Sequence, residues 1–396
     1  VCLSLGPIAF VACDRSQETA VEANGSSSTQ TEAVDASPIE LASPSGESSL
    51  AAANKTKTSV ESTREGGLDE PVLFKVMSWN LEWFFDDDAA DNYSKLAKEQ
   101  TAPSRVKWDW KRDAVAESLS LAQPAIVAFQ EIENRRVLWY LSRAMARNHN
   151  LAYREICIDG SDVFTEQDVG FLYRDEDGTK KSSADKLVIE PTLVAMYGRN
   201  ATMRRSDAFA EVSKHVAVEY ELNYGNDRET VTIVNLHLRA KDEAVEIRTK
   251  QARTVHAWIA DKIRAGENVI VLGDFNTEES KVPAVKGSDM YAACGLETPD
   301  PRDDLIDLHV HLSEKQRQTH LLPGKAFDRI LVSRSLLEDD IDRVDLSFVR
   351  MERLKELSVK GNPDVPQEHW DNYWDIDDAN RDISDHWPIM ATFQFK

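Results

Sequence analysis

Six apolar runs between Val72 and Phe395 each give way, at one end, to carboxylate, amide or imidazole side chains. The first ends in Ser78-Trp79-Asn80-Leu81-Glu82 and the second in Phe129-Gln130-Glu131. Asn235-Leu236-His237-Leu238, Gly273-Asp274-Phe275-Asn276, Phe327-Asp328-Arg329 and Ser384-Asp385-His386 follow. Any one of these reads as a turn or cap, because Asp and Asn favour such positions. His237 taken alone is as well explained by a core or edge histidine. Six such ends in one chain ask for a fold that gathers strand termini in one place.

The pattern predicts strands at Val72–Trp79, Ala125–Phe129, Val169–Tyr173, Val216–Leu222, Thr230–Leu238, Val269–Leu272, Phe327–Val332 and Trp387–Phe395. Helices are expected at Lys111–Ala122, Asn134–Arg147 and Asp242–Ala265. The last carries apolar side chains at Val245, Ala252, Val255, Ile259 and Ile263, and Gly266 stops it. The order is α/β without a regular βαβ rhythm or an internal repeat. Several strands alternate too much to be buried on both faces.

The chain has 396 residues, long enough for a large core, and 69 acidic side chains against 47 basic ones, a net charge of −22. That balance argues against gripping nucleic acid by sheer basicity, so a polyanion has to be held locally, by a few arginines or a bound cation. No apolar run reaches the length of a membrane-spanning helix. Val1–Ala12 is small, apolar and uncharged, and reads as the core of a secretory signal peptide. Phe10-Val11-Ala12-Cys13 resembles a bacterial lipobox, in which Cys13 would receive the lipid; a plain signal peptide or a packed apolar stretch are the alternatives. Residues 14–71 are rich in Ser, Thr, Ala and Glu, hold no aromatic residue and are expected to be a disordered tether. One folded domain is expected from Val72 to Lys396. Cys157 and Cys294 are too far apart in sequence to show whether they pair.

Asn80, Glu131, Asp274, Asn276 and Asp385 offer hard oxygen donors, which suit magnesium, manganese or calcium better than zinc. Histidine and a further aspartate add proton-handling groups. A divalent cation with a His–Asp pair is a kit for attacking a phosphorus centre with water.

SWNLEWF (78–84), AFQEIEN (128–134), NLHLRAK (235–241), VLGDFNTE (271–278), FDRILVS (327–333) and SDHWPI (384–389) together resemble, in order, the motifs of the endonuclease/exonuclease/phosphatase superfamily, which includes deoxyribonucleases. The resemblance spans almost the whole domain. It implies a four-layer α/β/β/α sandwich of two mostly antiparallel sheets, with the active site at one end. Carried over by position, Glu131 is the principal metal ligand with Asn80 beside it, Asp274 orients the attacking water, and Asn276 binds the phosphate in the transition state. His386, paired with Asp328, contacts the phosphate or acts as general base, and Asp385 adds a second metal-side carboxylate. His237 stands where abasic-site enzymes have a tyrosine and resembles the second histidine of other branches, a candidate general acid or phosphate ligand.

Arg239 and Lys241 after His237, and Arg205 in the basic island that begins at Arg199, are candidate substrate contacts or solvated loop residues. His309-Val310-His311 reads as strand alternation and, lacking a third ligand, as ordinary histidines. Asp86–Asp88 and Asp375–Asp382 read as loops, and Trp83 as core or as a base-stacking residue. The expected function is divalent-metal-dependent phosphodiester hydrolysis, in an exported nuclease whose substrate is nucleic acid. Its only membrane contact would be a lipid at Cys13, and no obligate protein partner is expected. An inositol-phosphate phosphatase or phospholipid phosphodiesterase on the same core is the alternative, and an inactive binding scaffold a remote one.

Overall fold

The computed structural model describes residues 72–395, apart from 158–159, 161, 176–186, 197–211, 213 and 339–344. The leader, the tether, Cys13, Arg199, Arg204 and Arg205 lie outside the described residues. In chain order the elements are β1 (Leu73–Phe84), α1 (Lys95–Gln100), α2 (Arg105–Ala122), β2 (Ile126–Ile132), α3 (Arg135–His149), β3 (Tyr153–Cys157) and β4 (Asp168–Arg174). They continue with β5 (Leu187–Met196), β6 (His215–Tyr224), β7 (Asp227–His237), α4 (Val245–Arg264), β8 (Asn268–Asp274), α5 (Asp289–Ala293) and β9 (Leu305–Asp307). The last are β10 (Asp328–Ser333), β11 (Leu346–Arg353), α6 (Pro366–Asn372) and β12 (Ile389–Phe395).

The strands form two six-stranded sheets, ordered β11-β12-β1-β2-β4-β3 and β5-β6-β7-β8-β10-β9. Each is antiparallel except at one central pair, β1–β2 in the first and β7–β8 in the second. Parallel neighbours need a crossover, and helices supply it: α1 and α2 between β1 and β2, α4 between β7 and β8. Ser104 caps α2 by accepting from the Lys107 amide, and Asn134 caps α3 by accepting from Arg136 and Val137. Gly266 follows α4 with φ +78°, as its sequence position predicts.

Three apolar clusters separate four layers. Phe74, Val76, Ile126 and Phe171 of the first sheet pack against Val218, Ile233, Ile270 and Ile330 of the second. Trp108, Val115, Leu119, Val137 and Leu141 of α2 and α3 cover the outer face of the first sheet, against Met77, Trp79, Val127 and Phe129. Val255, Ile259 and Ile263 of α4 and Met290 of α5 cover the second, against Val234, Leu236, Val269 and Val271. The fold is therefore the expected four-layer α/β/β/α sandwich.

Strand periodicity of two explains how the site is placed. Along the inner faces, Phe74 and Val76 are followed by Ser78 and Asn80; Ile126 and Ala128 by Gln130; Val231 and Ile233 by Asn235 and His237. Ile270 and Leu272 lead to Asp274, and β10, running the other way, starts at Asp328 before Ile330 and Val332. Each inner row turns from apolar to polar at the same end of the sandwich.

One reading of the sequence is corrected, and one question it left open is answered. His309 and His311 do not alternate on a strand: Leu308–His311 is a single 3-10 turn, because the Asp307 carboxylate accepts the His309 amide and starts it. His309 is buried beside the Arg329 guanidinium, and the His311 ring lies on Phe348. Cys157 and Cys294 are both free, and they sit under opposite outer layers, the first in the cluster of α2 and α3 and the second in that of α4 and α5.

Gly273 adopts φ +134°, and a Cβ there would stand 2.0 Å from the Leu236 carbonyl oxygen of the parallel neighbour β7. Only glycine lets β8 approach so closely. Gly273→Ala is expected to cost several kcal/mol, roughly the upper end of single-residue effects, and in a domain this large to lower the melting temperature by about 5 °C; thermal denaturation checks it.

Candidate active site

Asn80 joins the two sheets. Its Nδ2 donates to Glu131 Oε1 at 3.2 Å and across the sandwich to Asp274 Oδ2 at 3.0 Å, while its Oδ1 accepts the Glu82 amide. One layer deeper, the Gln130 amide donates to Asn235 Oδ1 at 2.7 Å, and Asn235 donates to the carbonyls of Phe129 and Gly170. These buried amides fix the spacing of the sheets where no apolar side chain fills the gap.

Glu131 would face the outer layer by strand parity. A register shift after Gln130 and a φ of +58° turn it back toward the site; bulges commonly re-aim a side chain in this way. Its carboxylate accepts from Asn80, from the Trp83 amide at 3.2 Å and from Gln167 Nε2 at 2.6 Å. Glu82, Trp83 and Asn276 also have positive φ, at +46°, +51° and +49°. Such backbone costs of order 1 kcal/mol or more per residue and persists where its surroundings enforce it.

His386 Nδ1 bonds Asp328 Oδ2 at 2.8 Å, and Nε2 points at the cluster, 3.8 Å from Asp274 Oδ2 and 3.9 Å from Asp385 Oδ1. Burial works against a charged ring here, but the carboxylates of Asp328 and Asp274 outweigh it and raise His386 well above the usual histidine range. That direction favours the charged ring, whose Nε2–H would face the cluster. The Trp79 indole supports it by bonding the His386 carbonyl at 3.2 Å. His237 is the opposite case: burial, then the Lys214 charge, hold it neutral. Its Nε2 lies 3.5 Å from Asp274 Oδ2 and 3.8 Å from Glu131 Oε1.

Asp274 accepts the Asn276 amide on Oδ1 at 2.8 Å, and Asn276 Nδ2 reaches both Asp274 Oδ2 and the Leu238 carbonyl. Burial raises Asp274 to about 6. Burial and the nearby Asp385 charge raise Glu131 to about 7. Crowded carboxylates that give up protons reluctantly are what a divalent cation relieves, and their oxygens are the hard donors magnesium or manganese prefers. Glu131 and Asp274, with His237, place ligand atoms within 4.8 Å of one another. The donor set therefore fits a divalent cation, with Glu131 and Asp274 as its nearest ligands. Asn80 presents its nitrogen to the cluster, so in this arrangement it bridges the carboxylates as a donor.

Asn80, Glu131, Asp274, Asn276, Asp328, Asp385, His386 and His237 thus lie together at one end of the sandwich. Arg239 and Lys241 are exposed just beyond His237, on the loop whose carbonyls Arg248 holds. Trp83 is half-buried with its ring edge-on to Phe85. Asp86 pairs with Arg136, and Asp382 accepts the Lys360 and Asp364 amides, so these two acids are structural. Sequence reasoning missed Gln167, Lys214, His320, His369 and Trp370, which come from loops and short elements without a periodic signal. Lys214 Nζ binds Gln167 Oε1 at 3.0 Å and Asp162 at 2.8 Å, and its charge acts on both Glu131 and His237. His369, held between Glu82 and Asp364 at 2.7 Å each, is raised to about 9 because those carboxylates outweigh its burial. Glu82, in a quoted motif, was given no role.

No protein family matches the chain, and no curated protein does. Similar solved structures include an endonuclease/exonuclease/phosphatase family protein from Bacteroides thetaiotaomicron, at 16% identity, 83% of this chain, 99% of that one and a TM-score of 0.48. A mannosyl-6-phosphatase from the same organism has 15% identity, 81% and 99% coverage and a TM-score of 0.48. The human Nocturnin catalytic domain with bound sulfate has 15% identity, 83% and 95% coverage and a TM-score of 0.47. What the chain's own geometry defines is a four-layer sandwich whose polar end gathers carboxylate and imidazole groups that could hold a divalent cation.

Without a cation, the raised carboxylates make stability pH-dependent. The unfolded chain releases the Glu131 proton near the ordinary value of 4.5 and the folded one near 7, so stability falls as pH rises through that window. The loss from Glu131 is about 3 kcal/mol. Unfolding in EDTA across pH 4–8 should show this fall; Glu131→Gln should remove its share and leave the part owed to Glu133, which burial raises to about 8, and Asp274, and magnesium should stabilise the wild type more than the variant.

Proposed function

We propose that the protein is a divalent-metal-dependent phosphodiester hydrolase acting as a nuclease. The single observation that carries the reading is the His386–Asp328 pair aiming Nε2 at the Asn80–Glu131–Asp274 cluster across the seam of the sheets. Bound there, the cation supplies positive charge that polarises the phosphoryl group and lowers the pKa of water. His386 Nε2–H donates to a phosphoryl oxygen and stabilises the charge that develops on it. Asp274, raised toward neutrality, is placed to take a proton from the attacking water. Asn276 and Asn80 hold its carboxylate in position, and neutral His237 lines the opposite side, within reach of a phosphoryl or leaving-group oxygen. Arg239 and Lys241, exposed just beyond His237, are the basic side chains this reading assigns to flanking phosphates.

A second reading, a phosphatase or phospholipid phosphodiesterase on the same core, is favoured by a cleft of about 540 Å³ beside the site. Trp83, Trp370 and Trp374 line it with Glu99, Asp371 and Asp375. An acidic, aromatic cleft suits an uncharged leaving group better than a polyanionic strand. Export and lipidation at Cys13 complete the proposal and rest on the leader pattern; loss of membrane association in Cys13→Ser is the expected outcome of cell fractionation.

Hydrolysis of supercoiled plasmid, RNA, bis-p-nitrophenyl phosphate, sphingomyelin and inositol polyphosphates, with magnesium, manganese or EDTA, tests the reading. Plasmid nicking that requires the cation and falls at least about 100-fold in His386→Ala and Asp274→Asn is expected. Cleavage of a lipid or inositol substrate alone would favour the second reading. Silence on all substrates would count against both.

A further inference from the structure

The Asp385 carboxylate is held by groups that none of the six motifs contains. Its Oδ2 accepts His320 Nε2 at 3.2 Å and the Trp370 indole N–H at 2.9 Å, and its backbone amide donates to Glu82 Oε2 at 3.0 Å. His320 is 5% exposed. Its backbone pairs with that of His386, and its ring packs 4.6 Å from the His386 ring and 4.9 Å from Phe327.

The tautomer of His320 decides what it can do. Its Nδ1 accepts the Leu322 amide at 3.0 Å, which places the ring proton on Nε2. An Nε2 that carries a proton donates and has no lone pair for a metal. His320, Asp385 and His386 put ligand atoms within 4.8 Å of one another, yet as hydrogen-bonded they form a donor chain and not a metal-binding triad. With Oδ2 occupied twice, Asp385 is left with Oδ1, which faces His386 Nε2.

We propose that His320 is a positioning residue that, with Trp370, fixes the Asp385 carboxylate in one rotamer and so presents Oδ1 to the reaction centre. The proposal rests on the phosphoester-hydrolase reading and adds to it a pair of residues acting through Asp385. Partners that orient a metal-side carboxylate characteristically contribute about 10- to 100-fold in cation affinity or rate.

Two variants separate the hydrogen bond from the packing. In His320→Asn the side chain is long enough to accept from Leu322 but too short to reach Asp385. In His320→Gln the amide nitrogen falls where Nε2 stood. The full chain is titrated with manganese by calorimetry, and hydrolysis of bis-p-nitrophenyl phosphate is followed in parallel. The expected result for His320→Asn is about a 10-fold loss in manganese affinity and in kcat with KM within twofold, and recovery to within about threefold in His320→Gln. Wild-type affinity and kcat in His320→Asn would overturn the proposal, as would equal impairment in both variants. If His320→Asn does not fold, Trp370→Phe decides the matter: it removes the other donor from a residue that is 43% exposed. A loss of manganese affinity there supports the clamp, and unchanged affinity overturns it. A wild type that binds manganese but hydrolyses no phosphoester would count against the hydrolase reading alone, since calorimetry reads the clamp without turnover.

Discussion

The hydrogen bond from Asn80 to Asp274 crosses the sandwich at the one end where its core is not apolar, and the architecture of the site depends on it. Two sheets joined by side chains such as Phe74, Ile126, Ile233 and Ile270 would close on each other or admit water where those side chains stop. Here Asn80 meets Asp274, Gln130 meets Asn235, and Asp328 meets His386. Each pair takes one partner from the first sheet, or the loop leading into it, and one from the second. A buried polar network of this kind is costly when incomplete and specific when satisfied. It sets the distance between the carboxylates that collect at the seam.

That crowding accounts for the chemistry. Glu131 and Asp274 are raised because burial penalises their charge, and the neighbouring carboxylates of Asp385 and Asp328 add to it. Lys214 is nearby but committed to Gln167 and Asp162. His386 goes the other way, carrying the positive charge that its carboxylate neighbours favour. One end of the sandwich thus holds reluctant anions, a stable imidazolium and a neutral imidazole within a few ångströms. The charge of the surrounding protein is strongly negative, so attraction of a phosphate has to come from this local arrangement and from a bound cation.

The inner strands were legible in the sequence because each carries a buried apolar row bounded by polar groups. All eight expected strands are present with shifted bounds: β1 runs on to Phe84, β7 begins at Asp227, and β12 begins at Ile389 and not at Trp387. The four that escaped, β3, β5, β9 and β11, are the edges of the two sheets. Edge strands carry polar residues such as Arg154 and Glu155, or Arg350 and Glu352, or a proline such as Pro191, and lack a continuous apolar row. The same logic divides the site. Residues at strand ends inherit their position from the alternation, so Asn80, His237, Asp274 and Asp328 were readable by spacing. Glu131 was readable only through its motif, since its strand parity points the wrong way until the backbone turns. His320, His369 and Trp370 hold the site from loops and a seven-residue helix, where spacing carries no information about direction.

The central claim is that the polar ends of the inner rows form one cation-binding centre. Anomalous diffraction from crystals of the protein soaked in manganese tests it most directly. The account predicts a strong peak at coordination distance from Glu131, with Asp274 or Asp385 completing the protein ligands and His386 Nε2 facing the open side. A peak at the Asp86–Asp91–Glu133 cluster with none at the seam would contradict it.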